Sequence, residues 1–119
     1  SFKIKSRIWV EKNNTIFLGE GRIKLLKAID ETGSLSKAAK SLKMSYNKAW
    51  KLIDSVNKNA DNPIVLKNIG GKNGGGTILT PYGKELIVAF EKINKNCWNY
   101  LDKQIDKYLR LVCVIVFRE

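Results

Sequence analysis

A mainly α fold carrying a small β-wing, with a β-hairpin before it and a long helix behind it, is what the 119 residues predict. Three observations predict it. A short capped helix, a tight turn and a longer amphipathic helix follow one another between Ser34 and Ala60. A glycine-rich loop then separates two short β-branched runs, and from Leu86 to Tyr108 apolar residues recur every three or four positions. One domain of the usual ~100–150 residues is expected over 1–119, with 44% apolar residues, four Phe, four Tyr and three Trp to build its core.

In order along the chain, Lys3 to Val10 alternates, Asn13-Asn14 interrupts it, and Thr15 to Leu18 follows, which reads as a hairpin. Gly19 and Gly21 break the strand. Arg22 to Glu31 then places Leu25, Leu26 and Ile29 at helical spacing, and Gly33 ends that helix. Ser34 or Ser36 caps a second, short helix through about Leu42, which buries Ala38, Ala39 and Leu42. After the Lys43-Met44 turn, Ser45 caps a third helix. Its Tyr46, Ala49, Trp50, Ile53, Val56 and Ala60 form one stripe expected to face the core, with Trp50 a core residue, while Asn47, Lys48 and Lys51 lie off it.

The wing spans residues 63–80, with Ile64 to Ile69 and Thr77 to Leu79 as strands around Gly70-Gly71-Lys72-Asn73-Gly74-Gly75-Gly76. Thr80-Pro81 supplies an N-cap and a first-turn proline for a helix over 81–110. That helix carries Leu86, Phe90, Ile93, Cys97, Leu101, Ile105 and Tyr108 on one stripe, longer than one small domain can cover, so Leu86 to Ile105 are the candidate dimerisation residues. Leu111 to Phe117 fits a strand or continued helix. Cys97 and Cys113 are expected to be buried reduced thiols, since disulfide-stapled small domains normally carry four or more cysteines.

Charge decides the class of partner. Lysine and arginine number 22 against 11 acids, a net +11, and there is no histidine. Between Thr32 and Ile53 there is no acid, but Lys37, Lys40, Lys43, Lys48 and Lys51; between Asn62 and Lys84 there is again none, but Lys67, Lys72 and Lys84. Two acid-free windows therefore hold most of the surplus, whereas an ordinary solvated face interleaves glutamate for pairing. Polyanions are the natural partners, nucleic acid before anionic membrane. Without His there is no Ser/His/Asp triad, imidazole-held zinc or ordinary near-neutral acid–base group, so no enzyme, cofactor or metal is expected. The longest apolar run has seven residues, far below the ~18–20 that span a bilayer, and a cytoplasmic protein is expected.

A short helix, a three-residue turn and a longer helix with an exposed polar face make a helix-turn-helix, whose second helix enters the DNA major groove by its N-terminal residues. Asn47 suits paired hydrogen bonds to adenine; Lys48 and Lys51 suit guanine acceptors or phosphates. Tyr46 fits either a packing or a contact role. The glycine loop permits close backbone approach to the sugar-phosphate chain. It does not fit a nucleotide-binding loop, because Gly71-Lys72 is followed by Asn73 and a strand. The candidate DNA contacts are Ser34, Ser36, Ser45, Tyr46, Asn47, Lys48 and Lys51, with Lys67, Gly71, Lys72 and Gly74 on the wing.

Four segments then carry a resemblance. Gly33-Ser34-Leu35-Ser36-Lys37-Ala38-Ala39, Met44-Ser45-Tyr46-Asn47-Lys48-Ala49-Trp50, the glycine loop and Leu79-Thr80-Pro81-Tyr82-Gly83 resemble the N-terminal DNA-binding domain of the molybdate-dependent transcriptional regulators, the ModE family. LysR-type regulators share some of these features more distantly. The resemblance implies a winged helix-turn-helix, homodimerisation through the long C-terminal helix and operator binding at molybdate-transport or molybdenum-cofactor genes. It also implies that molybdate is held by separate C-terminal modules, so none is expected to bind this chain. The alternatives are a non-specific architectural nucleic-acid-binding protein or a dimerisation partner of full-length regulators.

Overall fold

A computed structural model of the chain describes residues 2–68 and 76–113. Strands β1 (Trp9–Lys12) and β2 (Thr15–Gly19) pair antiparallel across Asn13-Asn14, with a register irregularity between Val10 and Glu11. Both asparagines have positive φ, 55° and 62°, the pair of left-handed conformations that a two-residue hairpin turn of type I′ requires. The alternation that begins at Lys3 becomes a strand only at Trp9, because Trp9 already pairs with Gly19, the last residue of β2. Residues before it have no strand opposite them.

Helix α1 (Glu20–Thr32) starts directly at the end of β2, earlier than the expected Arg22. Gly33 ends it at φ 68°, donating its N–H to the Ile29 carbonyl at 2.8 Å. Helices α2 (Leu35–Ser41) and α3 (Tyr46–Asn59) follow, then β3 (Val65–Asn68) antiparallel to β4 (Gly76–Leu79), and α4 (Pro81–Gln104). Beyond Gln104 a π-helical turn, Ile105–Leu109, leads into a last helical stretch over 110–113. The first three residues of the Leu111 to Phe117 run are therefore helical, and the remainder lies outside the described residues.

α1 is the centre of the core. Its Leu25, Leu26 and Ile29 are fully buried, and Ala38 and Ala39 of α2, Ala49, Ile53 and Val56 of α3, and Ile64 and Val65 of the wing close around them. The tyrosine and tryptophan of the α3 stripe do not join: Trp50, expected in the core, is 43% exposed, and Tyr46 is 51% exposed. The small Ala38 and Ala39 let α2 come so close that Ala49 fills the gap. An indole about 100° further round the helix is left on the flank.

α4 buries only its beginning. Gly83, Ile87 and Phe90 are buried, Leu86 packs half-buried against the core, and two ion pairs, Lys27–Glu91 at 3.0 Å and Lys84–Asp30 at 3.8 Å, hold α4 to α1. None of residues 91–104 is buried, and the molecule measures 74 × 28 × 22 Å. Cys97 and Cys113, expected to be buried, are half-buried free thiols on this outer part of the helix. No helix among the described residues is long and apolar enough to cross a membrane.

Candidate nucleic-acid interface

Two serines build the corner between α2 and α3. Ser34 Oγ accepts the Lys37 N–H and Ser45 Oγ accepts the Lys48 N–H, both at 3.1 Å, so each helix starts on a satisfied cap. Between them the chain turns through Lys43 in the left-handed region, φ 55°, while the Met44 N–H returns to the Ala39 carbonyl at 2.9 Å. These bonds set the start of α3 at the surface. Ser45, Tyr46, Asn47, Lys48, Trp50 and Lys51 are all exposed there, with Ser36 exposed and Ser34 half-buried on the adjoining α2 turn.

The wing is anchored to three elements at its base. Asn57 of α3 donates from Nδ2 to the Val65 carbonyl at 3.0 Å, and its Oδ1 accepts the N–H groups of Ile64 and Val65 at 3.0 and 3.1 Å. The Thr77 N–H of β4 donates to the carbonyl of Gly33, the residue ending α1, at 2.9 Å. That approach needs glycine at 76, where a Cβ would stand 2.9 Å from the same carbonyl. Thr80 caps α4 by accepting the Gly83 N–H at 3.0 Å, and its hydroxyl donates to the Pro63 carbonyl at 2.7 Å. Wing and third helix are thereby held in one frame. Exposed Lys67 of β3 stands with Trp50 on the walls of the cleft between them.

The electrostatics of this surface are one-sided. Among the described residues, none of Lys37, Lys40, Lys43, Lys48, Lys51 and Lys67 has a carboxylate within 4 Å; Asp54, which lines the cleft, is paired with Lys58, and the other ion pairs involve Asp30, Glu20, Asp61, Glu91 and Asp106. At the far end of α1, Lys24 and Arg7 hold the Glu20 carboxyl below the usual carboxylate range, chiefly through the Lys24 hydrogen bond. Lys84, part of the second acid-free window, is instead within 3.8 Å of Asp30. Gly71, Lys72 and Gly74 lie outside the described residues.

The structure thus brings the expected contacts of the helix-turn-helix and Lys67 to one region, and adds two residues that sequence reasoning misplaced or missed. Trp50 is at the surface. Asn57 is the wing's fastening, and the only hint of it was an asparagine inside a helix, where that residue is intrinsically disfavoured.

Comparison with known proteins agrees with this architecture. The transcriptional regulator ModE of Haemophilus influenzae is 37% identical over 86 residues, 72% of this chain and 34% of that protein. The chain is homologous to a segment of the ModE regulators. The molybdenum transport protein ModE of Azotobacter vinelandii is 40% identical over 90 residues, covering 76% of this chain and 33% of its own length. The DNA-binding transcriptional dual regulator ModE of Escherichia coli is 41% identical over 76 residues, 64% of this chain and 29% of that protein. The chain therefore spans about one third of the length of the ModE proteins it matches. No family model matches the chain. Among solved structures, the S. aureus MepR–DNA complex aligns with a TM-score of 0.53 at 15% identity, covering 83% of this chain and 78% of that one. That likeness is one of fold, the winged helix-turn-helix of DNA-binding domains.

Proposed function

We propose that this chain is a sequence-specific double-stranded DNA-binding module of a ModE-like transcriptional regulator. The observation that carries the reading is the unpaired basic surface running from the N-terminal half of α3 to Lys67 of the wing. In this reading α3 lies in the major groove, which accepts one helix and displays a distinct donor–acceptor pattern for each base pair. Asn47 and Lys48 read base edges. Lys51, Lys67 and Lys72 meet phosphates, and Ser34, Ser36, Ser45, Gly71 and Gly74 contribute hydrogen bonds or close backbone approach. Relatives that are named molybdenum transport proteins connect such regulation to molybdenum.

The working unit is a homodimer. Phe90 is 4% and Ile105 8% exposed within one chain and Leu86 packs on the core, so Ile93, at 53% exposure, with Cys97 and Leu101, is the outer part of the stripe left for a partner helix. Full burial of an exposed side chain such as Ile93 gains roughly 1.5–3 kcal/mol, and half-buried Cys97 and Leu101 add less, each counted twice in a symmetric pair. Sedimentation equilibrium is expected to give twice the chain mass at micromolar concentration, and a stable monomer at high micromolar concentration would count against the pairing.

Selection from a pool of random duplexes tests the reading as a whole. A palindromic consensus is expected, with half-site centres about 34 Å apart, one turn of B-DNA. Recovery of no consensus, with all duplexes bound alike, would favour the architectural alternative.

A further inference from the structure

The exposed tryptophan of α3 is a large apolar group on a cationic surface. Trp50 lies about 60° round the helix from Asn47 and about 100° from Lys51, on the flank facing the wing, and Tyr46 sits one turn before it. With Leu66 and Lys67 of β3 it lines a cleft of about 320 Å³ between the recognition helix and the wing. Tyr46, Trp50 and Leu66 are 51%, 43% and 45% exposed. The acid in this cleft, Asp54, is already paired with Lys58 at 2.9 Å. An apolar cluster beside charge marks a contact surface, and Lys67 on the cleft wall with exposed Lys51 one residue beyond Trp50 makes this one complementary to a polyanion.

We propose that Trp50 is a base-reading residue: its indole packs on the C5 methyl of a thymine beside the base pair that Asn47 reads. The inference rests on the DNA-binding reading above and adds a specificity that the basic residues cannot supply. Lysine and asparagine recognise acceptors and donors, whereas the thymine methyl is the apolar feature of the major groove. Trp50 is placed for it, lying within the first turns of the recognition helix, whose N-terminal residues reach base edges. Nothing in the core requires an aromatic there, since Ala49, Ile53 and Val56 already supply the buried face of α3.

The test uses the whole chain and a duplex selected from a random pool. Each thymine in the duplex is replaced in turn by deoxyuridine, which removes only the methyl. The wild-type chain is expected to lose about fourfold in affinity at one thymine per half-site, the change that corresponds to burying one methyl-sized group. Trp50→Ala is expected to bind more weakly and to be indifferent to deoxyuridine at that same position. Trp9→Phe/Trp98→Phe, which leaves Trp50 the sole tryptophan, is expected to lose emission intensity when the selected duplex is added. The proposal is overturned if no deoxyuridine matters to the wild type, if Trp50→Ala keeps the same sensitivity, or if Trp50 emission is unchanged at saturation. A change in that emission with protein concentration alone would assign the cleft to a second copy of the chain and also overturn it. These failures leave DNA binding standing; a chain that binds no duplex overturns both.

Discussion

Raising the salt from 50 to 200 mM is expected to weaken binding to the selected duplex by about 10³ to 10⁵, if the dimer neutralises ~6–10 phosphates. Each lysine that meets a phosphate releases condensed counterions, so the logarithm of affinity falls by about 0.9 per phosphate neutralised for each tenfold rise in salt. The structure explains why that number is large. Lys37, Lys40, Lys43, Lys48, Lys51 and Lys67 carry no neighbouring carboxylate among the described residues, and a symmetric dimer presents each twice. Lys84, with the Asp30 carboxylate 3.8 Å away, is expected to contribute less to the slope than these six. Fluorescence anisotropy across the salt range checks this. A nearly flat titration would reject the electrostatic account.

The second large effect is expected at a residue that touches no DNA. Asn57→Ala removes three hydrogen bonds at the wing base and leaves two N–H groups and one carbonyl beside the buried Ile64 and Val65. Each buried group without a partner costs about 1–3 kcal/mol, and water entering the neighbouring cleft recovers part of that, so a loss of about 2–4 kcal/mol is expected. Urea unfolding reads it directly. DNA affinity should fall as well, because Lys67 is no longer carried at a fixed distance from α3. Asn57→Asp keeps an acceptor for both N–H groups but loses the donor to Val65, and is expected to fall between wild type and alanine. An Asn57→Ala chain with the wild-type urea midpoint and affinity would show that the wing is held by other means.

Asn57 and Trp50 also mark the boundary of what could be read in advance. The caps at Ser45 and Thr80, the Gly33 stop and the Asn13-Asn14 turn were legible, and the cap of α2 down to Ser34 or Ser36, because each rests on local backbone chemistry that a few adjacent residues express. Trp50 was misjudged because periodicity locates the centre of a buried stripe but not its width. The width depends on how closely Ala38 and Ala39 let α2 approach, a property of two helices. The role of Asn57 was hidden for a similar reason, beyond the hint of an asparagine inside a helix: its partners, Ile64 and Val65, come back to it only once α3 has ended and the chain has turned. The alternation from Lys3 likewise predicted a strand reaching well back from Val10, but a strand needs a partner, and β2 ends opposite Trp9. On α4, spacing alone could not separate Phe90, which packs on its own domain, from Ile93, which does not.

In the proposed complex the outward face of α3 reads sequence while the wing supplies affinity. The ratio of affinities for the selected duplex and for random duplex, measured at one salt concentration in wild type, Asn47→Ala and Lys67→Ala, tests it most directly. Asn47→Ala is expected to narrow the ratio by the equivalent of about 1–3 kcal/mol for each base that the asparagine reads. Lys67→Ala is expected to weaken both duplexes by similar factors, because phosphates are alike at every sequence, and so to leave the ratio where it was. A ratio that collapses in Lys67→Ala and survives in Asn47→Ala would contradict the account.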